Sequence, residues 1–283
     1  MRLKMSHHKA NQGFLTFAKN SETVDYLQLA YIQALNIKST QRYNLYAVVV
    51  DNKTNELITD KHRAVFDYII VADSVGPFDA ECQVFWLTPF KETIKLESDL
   101  LFTRSIDHWW TTFRLRDIVL SLGCRDYKQN LSDSRRYRKV FDDNELPDVY
   151  NGLMYFRYSH TALNFFTQAK QIFEQWANIQ NTLINCRDDL ASTDLVYAIT
   201  ALIIGKEKCT IPTADFINFV HMKPAINNFN ESLKFTEAYV TEFDEGMIRV
   251  NNINQYHPFH YYIKDFITTD MENYYDRFRP RNN

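Results

Sequence analysis

Glycine is scarce in this chain, with six in 283 residues against a typical usage of about 7%. None of them forms Gly-x-Gly-x-x-Gly or a Walker loop, so no glycine-rich backbone cradle for a diphosphate is encoded. Cysteine is equally sparse. Cys82, Cys124, Cys186 and Cys209 lie far apart and form no Cys-x-x-Cys pair, which excludes a zinc knuckle or dithiol motif and makes reduced thiols in a cytoplasmic protein the expectation. No apolar run approaches the ~18 residues that span a bilayer, and Met1 to Lys9 lacks an apolar signal core, so a soluble chain is expected. An excess of one charge is missing too. With 32 basic and 35 acidic residues the net charge is −3, so no global field recruits nucleic acid or membrane, and any polyanion must be met locally. What is present is apolar material, 45% of the chain, enough to fill a substantial core without disulfides.

The chain opens with a strand-like run, Gly13 to Ala18, a polar turn at Lys19-Asn20-Ser21, and then Val24, Leu27, Tyr31 and Ala34 at helical spacing. Asn44 to Val50 and Phe66 to Val71 read as further strands. This order predicts an α/β fold with a doubly wound, mostly parallel sheet. In such a sheet ligands sit at the carboxyl ends of strands, which places Phe17, Ala18, Lys19 and Asn20 beside one, although turn and core roles also account for them.

The chain is organised around Phe85 to Asp107. An apolar segment stops at Glu97-Ser98-Asp99 and another, Leu100 to Phe102, follows at once. Two carboxylates buried between strand-like runs would cost several kcal/mol without a cation, and a hard divalent ion is the natural one, completing its shell with phosphates. A solvated strand end is the alternative. Lys91 and Lys95 just upstream suit either a diphosphate or the surface.

Beyond His108-Trp109-Trp110, a helix-like run is expected around Phe113 to Leu122, then a long polar loop, Asp126 to Asp148. That loop carries Arg135, Arg136, Tyr137, Arg138 and Lys139, which could grip phosphates and stack on a base, or form a solvated charge run. Asn151-Gly152 reads as a tight turn leading into an apolar strand, and Thr161 to Leu183 as a long amphipathic helix with Leu163, Phe166, Ala169, Phe173 and Trp176 on one face. Ser192 or Thr193 should cap the helix Leu195 to Ile204, with Asp194 favourable in its first turn and Gly205 closing it.

The order Lys91, Ile94-Lys95-Leu96, Glu97-Ser98-Asp99, Leu100-Leu101-Phe102, Ile106-Asp107, Trp109-Trp110 resembles the Asp-x-Asp region of metal-dependent sugar-nucleotide transferases of GT-A fold, with Glu97 in place of the first Asp. Asn151-Gly152, Asp194 and His221-Met222-Lys223-Pro224 resemble, in order, further motifs of the glycogenin-like members. The resemblance implies Mn²⁺, or Mg²⁺, held by Glu97, Asp99 and His221, imidazole favouring Mn²⁺. It implies a nucleotide-sugar donor bound by Phe17, Ala18, Lys19, Asn20, Tyr26, Lys91, Lys95, Ser98 and Lys223. Asp194, with Asp189 in the acidic run before it, becomes a candidate catalytic or sugar-positioning carboxylate, and Asn151 an acceptor-side residue. His257 and His260 in the aromatic, basic tail are rivals to His221 for the metal.

The resulting expectation is a GT-A transferase domain over residues 1–230, with an extension, residues 231–283, packed on it. The chain would move a sugar from a nucleotide diphosphate sugar to an acceptor hydroxyl, retention of configuration being implied by the resemblance. The chain is also similar, more faintly, to sugar transferases of large DNA bacteriophages, which would make a hydroxymethylated base in DNA the acceptor and the host cytoplasm the setting. The competing expectation is a non-catalytic nucleic-acid-binding or virion-associated α/β protein.

Overall fold

The computed structural model describes residues 9–72, 79–132, 138–187, 189–211 and 216–280. Its centre is a six-stranded sheet in the order β3-β2-β1-β4-β7-β6, made of β1 (Ala10–Phe17), β2 (Tyr46–Val50), β3 (Tyr68–Val71), β4 (Phe90–Leu96), β6 (Ile118–Leu122) and β7 (Val149–Arg157). Strands β3, β2, β1 and β4 run parallel to one another, and β7 runs against both β4 and β6. The mostly parallel α/β sheet that the segment order predicts is therefore present. Every residue of β2 is buried, as expected where helices cover both faces.

Side chains alternate between two cores. Phe14, Tyr46, Val48 and Ile94 face one that includes the helix Tyr26–Thr40. Leu15, Ala47, Val49 and Met154 face the other, under the helices His160–Glu174 and Thr193–Ile204. The first helix is buried almost all round because the C-terminal helix Thr269–Asp276 covers its outer side, with Tyr31 Oη donating to Asp276 Oδ1 at 2.6 Å and Gln28 Nε2 to Glu272 Oε1 at 2.9 Å.

A second, small sheet carries the elements that matter most for the site. It places β12 (Phe259–His260) between β5 (Leu100–Leu101) and β8 (Val220–His221), antiparallel to the first and parallel to the second. A third sheet, β11-β10-β9, is formed by β9 (Thr241–Asp244), β10 (Met247–Val250) and β11 (Ile253–Asn254). The chain after residue 230 thus supplies the middle strand of the sheet beside Glu97-Ser98-Asp99.

Three expectations are corrected. The run from Phe113 to Leu122 is not one helix: a short helix ends at Phe113 and Ile118–Leu122 is a strand, its β-branched and aliphatic side chains buried against β7. Asn151-Gly152 is not a turn but lies inside β7. Glycine is needed there for close approach, since a Cβ at Gly152 would sit 2.6 Å from the Phe219 ring. The amphipathic helix closes at Glu174, and a separate short helix, Trp176–Ile179, keeps Trp176 buried.

Candidate active site

The segment Glu97 to Phe102 is held by its backbone. On the buried face of the first helix, Gln33 Nε2 donates to the carbonyls of Glu97 and Leu100 at 2.6 and 2.7 Å. One turn on, Asn36 pairs reciprocally with Phe102, accepting from its N–H at 2.7 Å and donating to its carbonyl at 2.8 Å. Thr16 Oγ1 donates to the Leu96 carbonyl, the Glu97 N–H donates to the Gly152 carbonyl, and the Tyr261 N–H donates to the Asp99 carbonyl. With its backbone fixed from several elements, the segment has little freedom in where it aims its two carboxylates.

Those carboxylates meet His260. Its Nε2 lies 3.0 Å from Glu97 Oε2 and 2.9 Å from Asp99 Oδ1. Asp99 and His260 are buried, and neither contact has hydrogen-bond geometry, so Nε2 is a buried polar atom without a hydrogen-bond partner. Lys264 contacts the other oxygen, Asp99 Oδ2. On the far side of the ring, His260 Nδ1 lies 2.8 Å from His221 Nδ1, the two rings stacked with centroids 4.3 Å apart. Burial works against the His260 proton, but the charges of Asp99 and Glu97 outweigh it and lift the imidazole to about 9. Burial, with the charge of His260, pushes His221 well below the ordinary histidine range. One Nδ1–H joins the two rings, and the opposite directions of the two shifts favour His260 as the ring that carries it. Burial would raise the Asp99 carboxyl, yet His260 and Lys264 hold it well below the usual range, and against the same burial His260 lowers Glu97.

The donor set fits a metal ion. An octahedral ion with bonds of ~2.1 Å spaces adjacent ligands ~3.0 Å apart, the spacing seen between His260 Nε2 and the two carboxylate oxygens. Among the described residues, Glu97, Asp99 and His260 are the one cluster of at least three such groups whose ligand atoms all fall within 4.8 Å of one another. His221, expected as the ligand, stands behind His260, while the rival His260 faces the carboxylates. His257 is elsewhere, with Nδ1 2.8 Å from Gln129 Oε1.

These groups lie in a cavity of about 540 Å³ at the carboxyl ends of β1 and β4. Phe17, Lys19, Asn20, Tyr26, Lys95, Ser98, Asn151, Asp194, His221 and Lys223 line it with the three metal-ligand candidates. Asn20 serves the loop as well, accepting from Leu27 N at 2.8 Å and donating to Asp25, whose side chain caps the first helix. Asp194 sits in the first turn of its helix, capped by Ser192, and accepts from the Asn151 N–H at 2.7 Å and from Arg138 at 3.1 Å. Burial raises its carboxyl, and the charge of Glu97 raises it further against the pull of Arg138.

Other candidates fall outside the cavity. Ala18 is wholly buried beneath it, its N–H donating to Val49. Lys91 is exposed at the amino end of β4, where Nζ reaches Asn11 at 3.2 Å, and Asp189 is an exposed residue in the bend before the Asp194 helix. Arg135, Arg136 and Tyr137 lie outside the described residues. Arg138 is not part of a solvated charge run: it bridges Asp148 and Asp194 and packs over the rings of Phe141 and Tyr150, 3.6 and 4.1 Å from their centroids. Lys139 is exposed at the start of a short helix.

Sequence reasoning missed Glu81, Tyr262 and Lys264. Glu81 accepts from Lys95 Nζ at 2.8 Å and from Asn151 Nδ2. Tyr262, 42% exposed at the cavity, has φ +62°, uncommon for an aromatic residue and of a kind that concentrates at functional sites. Lys264 follows His260 by one helical turn's worth of residues but in an irregular segment, so no periodic signal marks it.

Solved structures similar to this chain include mouse xyloside xylosyltransferase 1, at 11% identity over 71% of this chain and 84% of that one, with a TM-score of 0.49. Two structures of the glycosyltransferase GlyE from Streptococcus pneumoniae match at 8% and 9% identity over 71% of this chain, with TM-scores of 0.45 and 0.43. The matched part is 45% of the GlyE chain. No family model and no curated protein matches the sequence.

Proposed function

We propose that the chain is a metal-dependent glycosyltransferase, moving a sugar from a nucleotide diphosphate donor to an acceptor hydroxyl. The observation that carries this reading is the convergence of Glu97, Asp99 and His260 Nε2 in a cavity at the carboxyl ends of parallel strands, where ligands of such sheets bind. The order of motifs along the chain, from Glu97-Ser98-Asp99 to Asn151 and Asp194, supports it.

Glu97 Oε2, Asp99 Oδ1 and His260 Nε2 would hold the ion, and Mn²⁺ suits two carboxylates and an imidazole better than Mg²⁺. Bound there, the ion would neutralise charge on the leaving diphosphate. His221 is the positioning residue: by accepting the His260 Nδ1–H it leaves Nε2 as the atom that faces the carboxylates and that would release its proton to solvent on binding the ion. Lys223 and Lys264 add positive charge to the same cavity, each beside a ring, with Lys223 Nζ 5.6 Å from the Tyr262 centroid and Lys264 Nζ 5.7 Å from that of Tyr26. Those two tyrosines and Phe17 offer surfaces for the base and ribose, and Asp194 and Asn151 lie on the sugar and acceptor side. Configuration would be retained, in keeping with the resemblance.

The test is release of nucleoside diphosphate from UDP-, GDP- and ADP-sugars with and without Mn²⁺. Metal-dependent release from one nucleotide series, lost in His260→Ala, is expected. No release from any series, together with no binding of any nucleotide diphosphate, would sink the proposal.

A further inference from the structure

The helix Thr193–Ile204 starts at the cavity with Asp194 and ends on the opposite side of the molecule. Its inward positions, among them Leu195, Ala198 and Ala201, are buried, and a surface helix usually carries polar residues on the rest. Here Ile199, Leu202 and Ile203, spaced i, i+3 and i+4 along an outer stripe, are aliphatic, and Leu202 and Ile203 are 51% and 59% exposed. No cation stands in the last turn of this helix, where the macrodipole favours one. A further exposed aliphatic belongs to the same corner. Arg116 donates from Nε to the Glu207 carbonyl and from Nη1 to the Leu115 carbonyl, each at 2.9 Å. It thereby ties Leu115, 62% exposed, to the short helix Lys206–Cys209 that follows the stripe directly.

The same corner is basic. Arg116, Lys206 and Lys208 stand there with Glu207, whose carboxylate lies back against Gly205. Lys206 and Lys208 are exposed and in no ion pair among the described residues. The neighbouring acids are already matched, Glu92 by Arg114 and Asp117 by Arg157. Aliphatic side chains flanked by cations fit a bilayer surface that contains anionic phospholipid: the cations meet the headgroups and the aliphatics enter the acyl boundary. Two other occupants fit less well. A second copy seated here about a two-fold axis would set the lysines against their own kind, and a single-stranded nucleic acid stacks on aromatic rings, whereas these three side chains are aliphatic.

We infer that this corner is a membrane-docking surface, on which the chain sits against an anionic bilayer with Leu115, Leu202 and Ile203 inserted. Arg114, next to Leu115, donates to Glu92 near the amino end of β4, whereas the cavity lies at the carboxyl ends of β1 and β4. A docked chain therefore holds its cavity away from the bilayer, open to ligands in water. The inference goes beyond the transferase reading and does not depend on it.

The experiment is co-sedimentation of the full chain, without metal or nucleotide, with vesicles of phosphatidylcholine alone and of phosphatidylcholine containing about one-third phosphatidylglycerol. Binding to the mixed vesicles is expected to be at least about tenfold tighter than to the neutral ones, and to weaken as salt screens the cations. Leu202→Ser with Ile203→Ser should lower the partition coefficient about tenfold or more, and so should Lys206→Gln with Lys208→Gln. All four positions are exposed, so the variants should keep the native melting temperature. Lys53→Gln, an exposed cation beyond the carboxyl end of β2, should bind as the native chain does. No binding to the mixed vesicles, equal binding to both kinds, or binding that neither double variant weakens overturns the assignment. A native chain that ignores vesicles but dimerises in sedimentation equilibrium, or binds a single-stranded oligonucleotide, through Lys206 and Lys208 overturns it too.

Discussion

Replacing Asn36 by leucine tests whether the first helix holds the metal-site segment. The amide is fully buried and is the partner of both the N–H and the carbonyl of Phe102, at 2.7 and 2.8 Å. Leucine has nearly the same size but leaves both backbone groups buried and unpartnered, at about 1–3 kcal/mol each, while burying an alkyl group in place of an amide gives back about 1–2 kcal/mol. The net loss should be about 3 kcal/mol. For a chain of this size each kcal/mol moves the melting temperature by roughly 2–4 °C, so a fall of about 6–12 °C is expected. Urea and thermal unfolding, followed by circular dichroism, measure it. Because Phe102 ends the segment that carries Asp99, Mn²⁺ affinity should fall in the same variant. An Asn36→Leu protein as stable as the native chain would refute the reasoning.

Two further predictions concern the neighbouring groups. His221→Phe removes the acceptor for the His260 Nδ1–H and should weaken Mn²⁺ binding by about 10- to 100-fold, read by electron paramagnetic resonance, with His221→Asn restoring part of it through its amide oxygen; unchanged affinity in His221→Phe would remove the positioning role. Asp148 is raised to about 6 by burial, with Asp194 adding to the effect and Arg138 opposing it. Its folded value lies above its unfolded one, so between about pH 4 and 6 the native state keeps a proton that the unfolded chain has released, and stability falls as pH rises through that window. Urea midpoints should therefore move in favour of Asp148→Asn, relative to the native chain, between pH 4 and 7, and a constant difference would contradict the shift.

Much of the sheet was legible because its physics is local. β1, β2 and β3 are apolar runs beside turn-forming residues, and Ser192 and Gly205 bound their helix by capping chemistry that depends only on neighbours. Glu97-Ser98-Asp99 stood out because two acids interrupted apolar sequence. The reading faltered where distant segments decide. Gly152 looks like a turn residue until Phe219 is seen lying on it, and Ile118–Leu122 is a strand only because β7 is there to receive it. The choice between His221 and His260 depends on β12 slotting between β5 and β8, segments roughly 160 and 40 residues away in sequence, for which no spacing rule exists. Glu81 lacks any motif of its own and acquires meaning only from Lys95 and Asn151. Gln33 and Asn36, polar residues on a buried helical face, were a visible signal that the sequence reading passed over.

The central claim is a metal-dependent nucleotide site built on Glu97, Asp99 and His260, and one melting experiment addresses it most directly. UDP, GDP and ADP are each added with and without Mn²⁺ to the native chain and to the Glu97→Gln, Asp99→Asn double variant. A ligand at about 100 times its dissociation constant adds roughly 2.7 kcal/mol of stability, so a rise in melting temperature is expected for one nucleotide, only with Mn²⁺, and only in the native chain. A rise that persists without the metal or in the double variant, or no rise with any nucleotide, would contradict the account.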